Sequence, residues 1–302
     1  MPTIDIHSHI FSAAKPFPAA ALKDPMWDVS DRIGAGFRAK AETQSLPRIE
    51  AYLDNMAAWG VDIVVANNVA LTVEGARAMN DFNAEIIAAN PGRMLGFAAV
   101  PMAAGEAGAR ELEYAVKQLG FRGAKVYPKI QGVALDAPSV RPLYAAAADL
   151  NVPILTHTTA MPQMYSGTRG LDWMDHTLDN PARMIDSGLL RDIPNLKFIF
   201  AHQAGGFVYY KDSLIAHSPE LAPLFERFYV DIVPAVRFSE AQIRAAIDAL
   251  GADHVLWGID YPWVDMQACG QCFAHFNAMS FAPEVKQAIL GGNAIKLLNL
   301  TL

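Results

Sequence analysis

The segment Thr3-Ile4-Asp5-Ile6-His7-Ser8-His9-Ile10 alternates apolar and polar residues almost from the first position of a 302-residue chain. Alternation of this kind reads as a strand with two distinct faces. On regular parity Asp5, His7 and His9 share one face, and Ile4, Ile6, Ser8 and Ile10 share the other. Seven further short apolar runs follow, beginning near Val61, Met94, Gly120, Val152, Leu196, Phe228 and His254. Between them lie stretches with helical spacing, among them LPRIEAYLDNMAAWG, AGARELEYAVKQLG and SEAQIRAAIDALG, several of which close in Gly or Asn as helix ends do. Strand and helix alternating eight times predict parallel strands joined by crossovers: an α/β fold, a (β/α)8 TIM barrel forming a single domain over residues 1–302. A last helix, from about residue 283 to residue 300, is expected to seal it. In such a barrel the isoleucines of the first strand would lie outward under the helices, and the histidines would turn inward.

Two connections are longer than a helix and tight turns require, residues 11–44 after the first strand and 161–180 after the fifth. Both follow strands and so emerge at the C-terminal face, where barrel enzymes build their sites. Long loops there are expected to wall a substrate. Trp27 and Trp263 sit on loops of that face, and Arg38 and Arg169, one in each long loop, are candidates for a substrate carboxylate.

Composition narrows the class. Hydrophobic residues make up 52% and charged residues 18%, without low-complexity blocks, as in ordered globular proteins. The formal net charge of −7 and the lack of a basic run argue against nucleic acid as a partner. Neither a signal-peptide pattern nor a run of about 20 apolar residues occurs, which points to a cytoplasmic protein without membrane association. Cys269 and Cys272 provide no disulfide framework. Their Cys-Gly-Gln-Cys spacing supplies two of the four ligands of a structural zinc site and reads as small residues opening a helix.

The chemistry lies at the strand ends. His7 and His9, about 7 Å apart along one strand face, can converge on one cation. The fifth run ends Ile154-Leu155-Thr156-His157, the sixth Ile199-Phe200-Ala201-His202, and the eighth Gly258-Ile259-Asp260. Each places one ionisable group after apolar residues, where burial without a partner is costly. Four strands delivering metal-type ligands to one rim form a candidate metal centre.

The pattern Asp-x-His-x-His, the histidine closing strand five, His202-Gln203-Ala204-Gly205-Gly206, Gly258-Ile259-Asp260-Tyr261-Pro262 and the closing GGNAIKLLNL resemble the amidohydrolase superfamily. The narrower likeness is to the branch containing aminocarboxymuconate-semialdehyde and resorcylate decarboxylases. The resemblance implies a TIM barrel with His7, His9, His157 and Asp260 as metal ligands. It makes His202 a proton-transfer or polarising residue and Asp260 a catalytic acid or base. The ligand set suits Zn2+, with Mn2+ or Fe2+ as alternatives, and one ion is favoured over two. Lys125 is either a carboxylated lysine bridging two metals or, as favoured, an unmodified lysine that pairs with a substrate carboxylate or an acidic neighbour. Tyr127 shares its face. Asp231 is either a support for the ligands or a structural carboxylate. A homodimer is the family expectation.

A bound cation of this kind can bring a water's pKa down to about 7. The leading expectation is therefore a metal-dependent hydrolase acting on a small carboxylated or cyclic lactone, amide or ester. The alternative is a metal-dependent non-oxidative decarboxylase of an aromatic or muconate-type acid, which would use the same ligands. A catalytically inactive ligand-binding barrel is the alternative of another class.

Overall fold

A computed structural model describes residues 1–11, 13–31, 37–157, 180–233, 238–264 and 266–301. Its strands pair in parallel in chain order: β1 (Ile4–His9), β2 (Ile63–Asn67), β3 (Met94–Gly96 and Ala98–Ala99), β4 (Ala124–Val126), β5 (Ile154–Thr156), β6 (Phe198–Phe200), β7 (Phe228–Ile232) and β8 (Val255–Trp257). The two runs of β3 belong to one strand: the Phe97 N–H donates to Ala66 O on one side, and the Ala98 N–H donates to Gly123 O on the other. The segment after β8 returns to β1, where the Asp260 N–H donates to His7 O at 2.6 Å and the His9 N–H to Tyr261 O at 2.7 Å. Parallel strands in this order with helices between them make the α/β architecture of a TIM barrel.

The helices follow their local signals. Val73–Ala88 begins at Thr72, whose hydroxyl accepts the Gly75 N–H at 3.0 Å. Glu106–Leu119 stops at Gly120, which takes the left-handed conformation with φ 75°. Glu240–Leu250 starts with a reciprocal capping box between Ser239 and Gln242.

Two apolar layers flank the strands. Val64, Val126, Ile154, Phe198 and Val230 pack outward with helix residues such as Leu112 and Ile243. Ile4, Ile6, Val65, Phe97, Leu155, Ile199 and Leu256 pack together inside, with Ala294, Leu297 and Leu298 from the C-terminal segment. That segment seals the inner layer as expected, but not as one helix. Pro283–Gln287, a π-helical Ala288–Gly292 and Asn293–Leu297 follow each other. Gly291 accounts for its close docking, since a Cβ there would lie 1.9 Å from Pro2 O.

The parity expected of β1 is wrong in its first half. Pairing with β2 runs Ile4–Ile63 and Asp5–Val64, then slips, resuming at Ser8–Ala66 and His9–Asn67. A bulge therefore sets two residues, Ile6 and His7, against one, and both turn inward. Ile4 and Ile6 point into the barrel, and Asp5 points out. Asp5 accepts hydrogen bonds from Tyr52 Oη (2.7 Å), Ser8 Oγ and the N–H groups of His7 (2.9 Å) and Ile259 (3.0 Å). Those four bonds favour its charged form, but burial dominates and raises its pKa.

The long connection after β1, read from the sequence as a loop over residues 11–44, contains the short helices Ala19–Leu22, Met26–Asp31 and Phe37–Glu42. Asp24 fastens it to the loop after β2, accepting from the Leu71 and Thr72 N–H groups (3.1 and 3.0 Å) and from Thr72 Oγ1 (2.7 Å).

Candidate metal centre

His7, His157 and Asp260 bring one donor atom each within 4.8 Å of one another, and all three are buried. His7 Nε2 lies 3.5 Å and His9 Nε2 3.1 Å from Asp260 Oδ1, so His9 joins the cluster on the carboxylate's side. His202 Nε2 lies 2.7 Å from His157 Nε2 and 3.9 Å from Asp260 Oδ2. Donors about 2.0–2.2 Å from a shared cation stand at separations of this order, so the residues present fit a divalent ion. Every residue of the ligand set expected from the sequence lies at this one rim.

Burial sets the electrostatics. It pushes the Asp260 carboxyl up to about 8, with the neighbouring Asp231 and Asp5 adding to it and Lys125 opposing it. Burial holds His7, His9 and His157 well below the ordinary histidine value, and Lys125 lowers each further. Burial also takes His202 down to about 3. Neutral imidazoles are the form that binds metal.

Lys125 stands at the centre of β4, fully buried, with Nζ 2.6 Å from His7 Nε2. Burial lowers its pKa to about 7 against the pull of Asp260, Asp231 and Asp5. Tyr127 is buried beside it, with Oη 3.4 Å from His9 Nε2. Asp231 on β7 accepts from His7 Nδ1 at 2.8 Å.

Other expected contacts are sorted by the structure. Trp263 is 44% exposed and meets Phe11 edge-on at 5.5 Å, while Phe11 stacks on the His9 ring at 4.9 Å and 8°. Trp27 does not face the site: it is fully buried against Phe17 and donates Nε1–H to Ala21 O at 2.8 Å. Arg38 is held within its own loop by Asp28 (2.5 Å) and Leu22 O (2.6 Å). Arg169 lies outside the described residues. Cys269 and Cys272 are buried thiols on the helix Met266–Asn277, bonded to Val264 O and Ala268 O, as the structural reading expected.

The sequence reading missed two residues at this rim. Phe11 is one. The other is Asn67, which pairs in register with His9 on the same strand face and is fully buried, its Oδ1 without a hydrogen bond in the structure. The paired Asn67-Asn68 ending an apolar run was the available signal.

Inward imidazoles and a carboxylate at the C-terminal strand ends of a parallel barrel define a metal-centred barrel enzyme. The chain belongs to the amidohydrolase family, whose model matches residues 4–300, and it is an enzyme of that superfamily. It is 32% identical over 259 residues to the gamma-resorcylate decarboxylase of Polaromonas sp. JS666, covering 75% of this chain and 77% of the relative. It is 27% identical over 249 residues to the 2-amino-3-carboxymuconate-6-semialdehyde decarboxylase of Dictyostelium discoideum, covering 74% of this chain and 66% of the relative. The solved dihydroxybenzoic acid decarboxylase of Polaromonas sp. JS666, with bound manganese and 2-nitroresorcinol, superposes with a TM-score of 0.79 at 25% identity, over 99% of this chain and 97% of that one.

These findings overturn the expected hydrolase, because the relatives are named decarboxylases. They also leave the metal a divalent cation rather than zinc specifically, manganese being the ion in the related structure. Among the described residues no helix is long and apolar enough to cross a membrane.

Proposed function

We propose that this enzyme is a divalent-metal-dependent, non-oxidative decarboxylase of a planar aromatic or muconate-type acid. The observation that carries it is the pairing of the His7/His9/His157/Asp260 cluster with an adjacent imidazole, His202, in a chain whose relatives are decarboxylases. When bound, a divalent cation would supply Lewis acidity toward the oxygens of a carboxylate and its ortho hydroxyl. The remaining work falls to the protein. Phe11 and Trp263 offer flat surfaces against which a ring can lie. Lys125 offers a buried cation for an anionic oxygen, displaced from His7 once Nε2 of that residue is a ligand. The His202–Asp260 pair, taking up a proton as the anionic substrate binds, delivers it to the ring carbon bearing the carboxylate, and the carbon–carbon bond then breaks, returning its electron pair to the ring as carbon dioxide leaves.

Mn2+ as the native ion, a small-molecule partner and a single domain complete the proposal. The test is carbon dioxide release from 2,6-dihydroxybenzoate and other ortho-hydroxylated benzoates by Mn2+-loaded protein, run in D2O. One deuterium at the former carboxyl carbon per carbon dioxide is expected. Turnover of lactones or amides without carbon dioxide release would refute it.

A further inference from the structure

Asp231 is not among the proposed ligands, yet both its oxygens are committed to the centre. It lies on β7, fully buried, and its Oδ2 is 2.8 Å from His7 Nδ1. Its Oδ1 accepts the backbone N–H of His202 at 2.7 Å. That N–H opens an unusual turn: His202, Gln203, Ala204, Gly205 and Gly206 all have positive φ, between 54° and 89°. Three of these residues are not glycine, and each resists the left-handed conformation by roughly 1–2 kcal/mol, so something must hold the turn.

We infer that Asp231 is a positioning residue that sets the metal donor of β1 and the proton-carrying imidazole of the β6 loop together. A carboxylate accepts only, so the proton of His7 must reside on Nδ1, leaving the Nε2 lone pair free for the cation. The same carboxylate anchors the first residue of the turn that aims His202 at His157. One group thus registers ligand against acid. Space has been left for this arrangement at the end of β8, where a Cβ on Gly258 would lie 3.0 Å from His7 Cβ and 3.8 Å from Asp231 Cβ. The inference rests on the metal-centre reading above, but not on which bond the enzyme breaks.

Asp231→Asn separates the two duties, because an amide has one accepting oxygen and cannot serve both donors. If its oxygen stays with the His202 N–H, its NH2 faces His7 Nδ1 and forces the proton to Nε2, so Mn2+ affinity falls roughly 10- to 100-fold. If its oxygen turns to His7, two N–H groups oppose each other at the turn, so Mn2+ binds normally and kcat falls at least tenfold with KM unchanged.

Calorimetric Mn2+ titration of the folded variant, with turnover on whichever acid the wild type decarboxylates, is expected to show one of these losses. Retention of both within twofold would overturn the inference. A second measurement needs no variant: 15N-histidine spectra of the metal-free wild type should show His7 protonated at Nδ1, and protonation at Nε2 alone would overturn it equally. Should the wild type decarboxylate nothing, the functional proposal fails, while the titration and the spectrum still judge Asp231.

Discussion

Lys125 Nζ sits 2.6 Å from His7 Nε2, the nitrogen proposed to hold the metal. One lone pair cannot serve both, so lysine and cation compete for it. Lys125→Met is expected to raise Mn2+ affinity about tenfold by removing a buried like charge, while turnover of a carboxylated substrate falls. Isothermal titration and steady-state kinetics on the same preparation check both halves, and unchanged affinity would show that the lysine yields at no cost.

Asp260 couples metal loading to pH. Its carboxyl is pushed up to about 8 by burial, so without metal it is protonated at neutral pH, and a cation must expel that proton. Mn2+ affinity should climb ~tenfold per pH unit up to about 8 and then level off. The sign for the metal-free fold is opposite. A carboxyl raised above its unfolded value of about 3.9 stabilises the fold at low pH, and that contribution is lost as pH rises toward 8. Titrations in buffers of different ionisation enthalpy would count the proton, and none released would exclude this coupling.

His202 approaches Nε2 of His157 without belonging to the compact donor group of His7, His157 and Asp260. His202→Ala is therefore expected to retain Mn2+ stoichiometry and lose roughly 100- to 10,000-fold in kcat. Loss of the metal with the imidazole would make His202 a ligand instead.

Tyr52 tests the outer side of the bulge. Its hydroxyl donates to buried Asp5, and Tyr52→Phe removes that bond and leaves a buried acceptor one donor short. A loss of about 1.5–3 kcal/mol in urea unfolding is expected, with Mn2+ affinity little changed. A large fall in affinity would mean that the bulge, not merely stability, depends on Tyr52.

The eightfold βα pattern and the residues at four strand ends were legible because three apolar runs stop at an ionisable group, His157, His202 or Asp260, and the first strand carries His7 and His9 two residues apart. The bulge was not. IDIHSHI breaks its alternation only at Ser8, after the slip, and the hydrogen bonds that hold Asp5 outward come from Tyr52 and Ile259, residues 47 and 254 positions away. Strand parity put Lys125 and Tyr127 on one face but could not reveal that His7 would be the neighbour of Lys125. Hydrolysis and decarboxylation call for the same donors, so no spacing of histidines distinguishes them; relatives did. A tryptophan that walls a substrate and one that serves as a buried anchor have the same sequence signature, and Trp27 is the anchor.

The doubled inward step at Ile6 and His7 has a consequence for the field around the ion. An ordinary strand would put at least one outward residue between the hydrocarbon filling the barrel and the first metal-binding side chain. Here the two are consecutive, and the sealed apolar plug of Ile4, Ile6, Leu155, Ile199 and Leu256 begins directly beneath the imidazole. A cation held by His7 would therefore be poorly screened on that side, and its influence would be directed upward, toward Phe11 and Trp263.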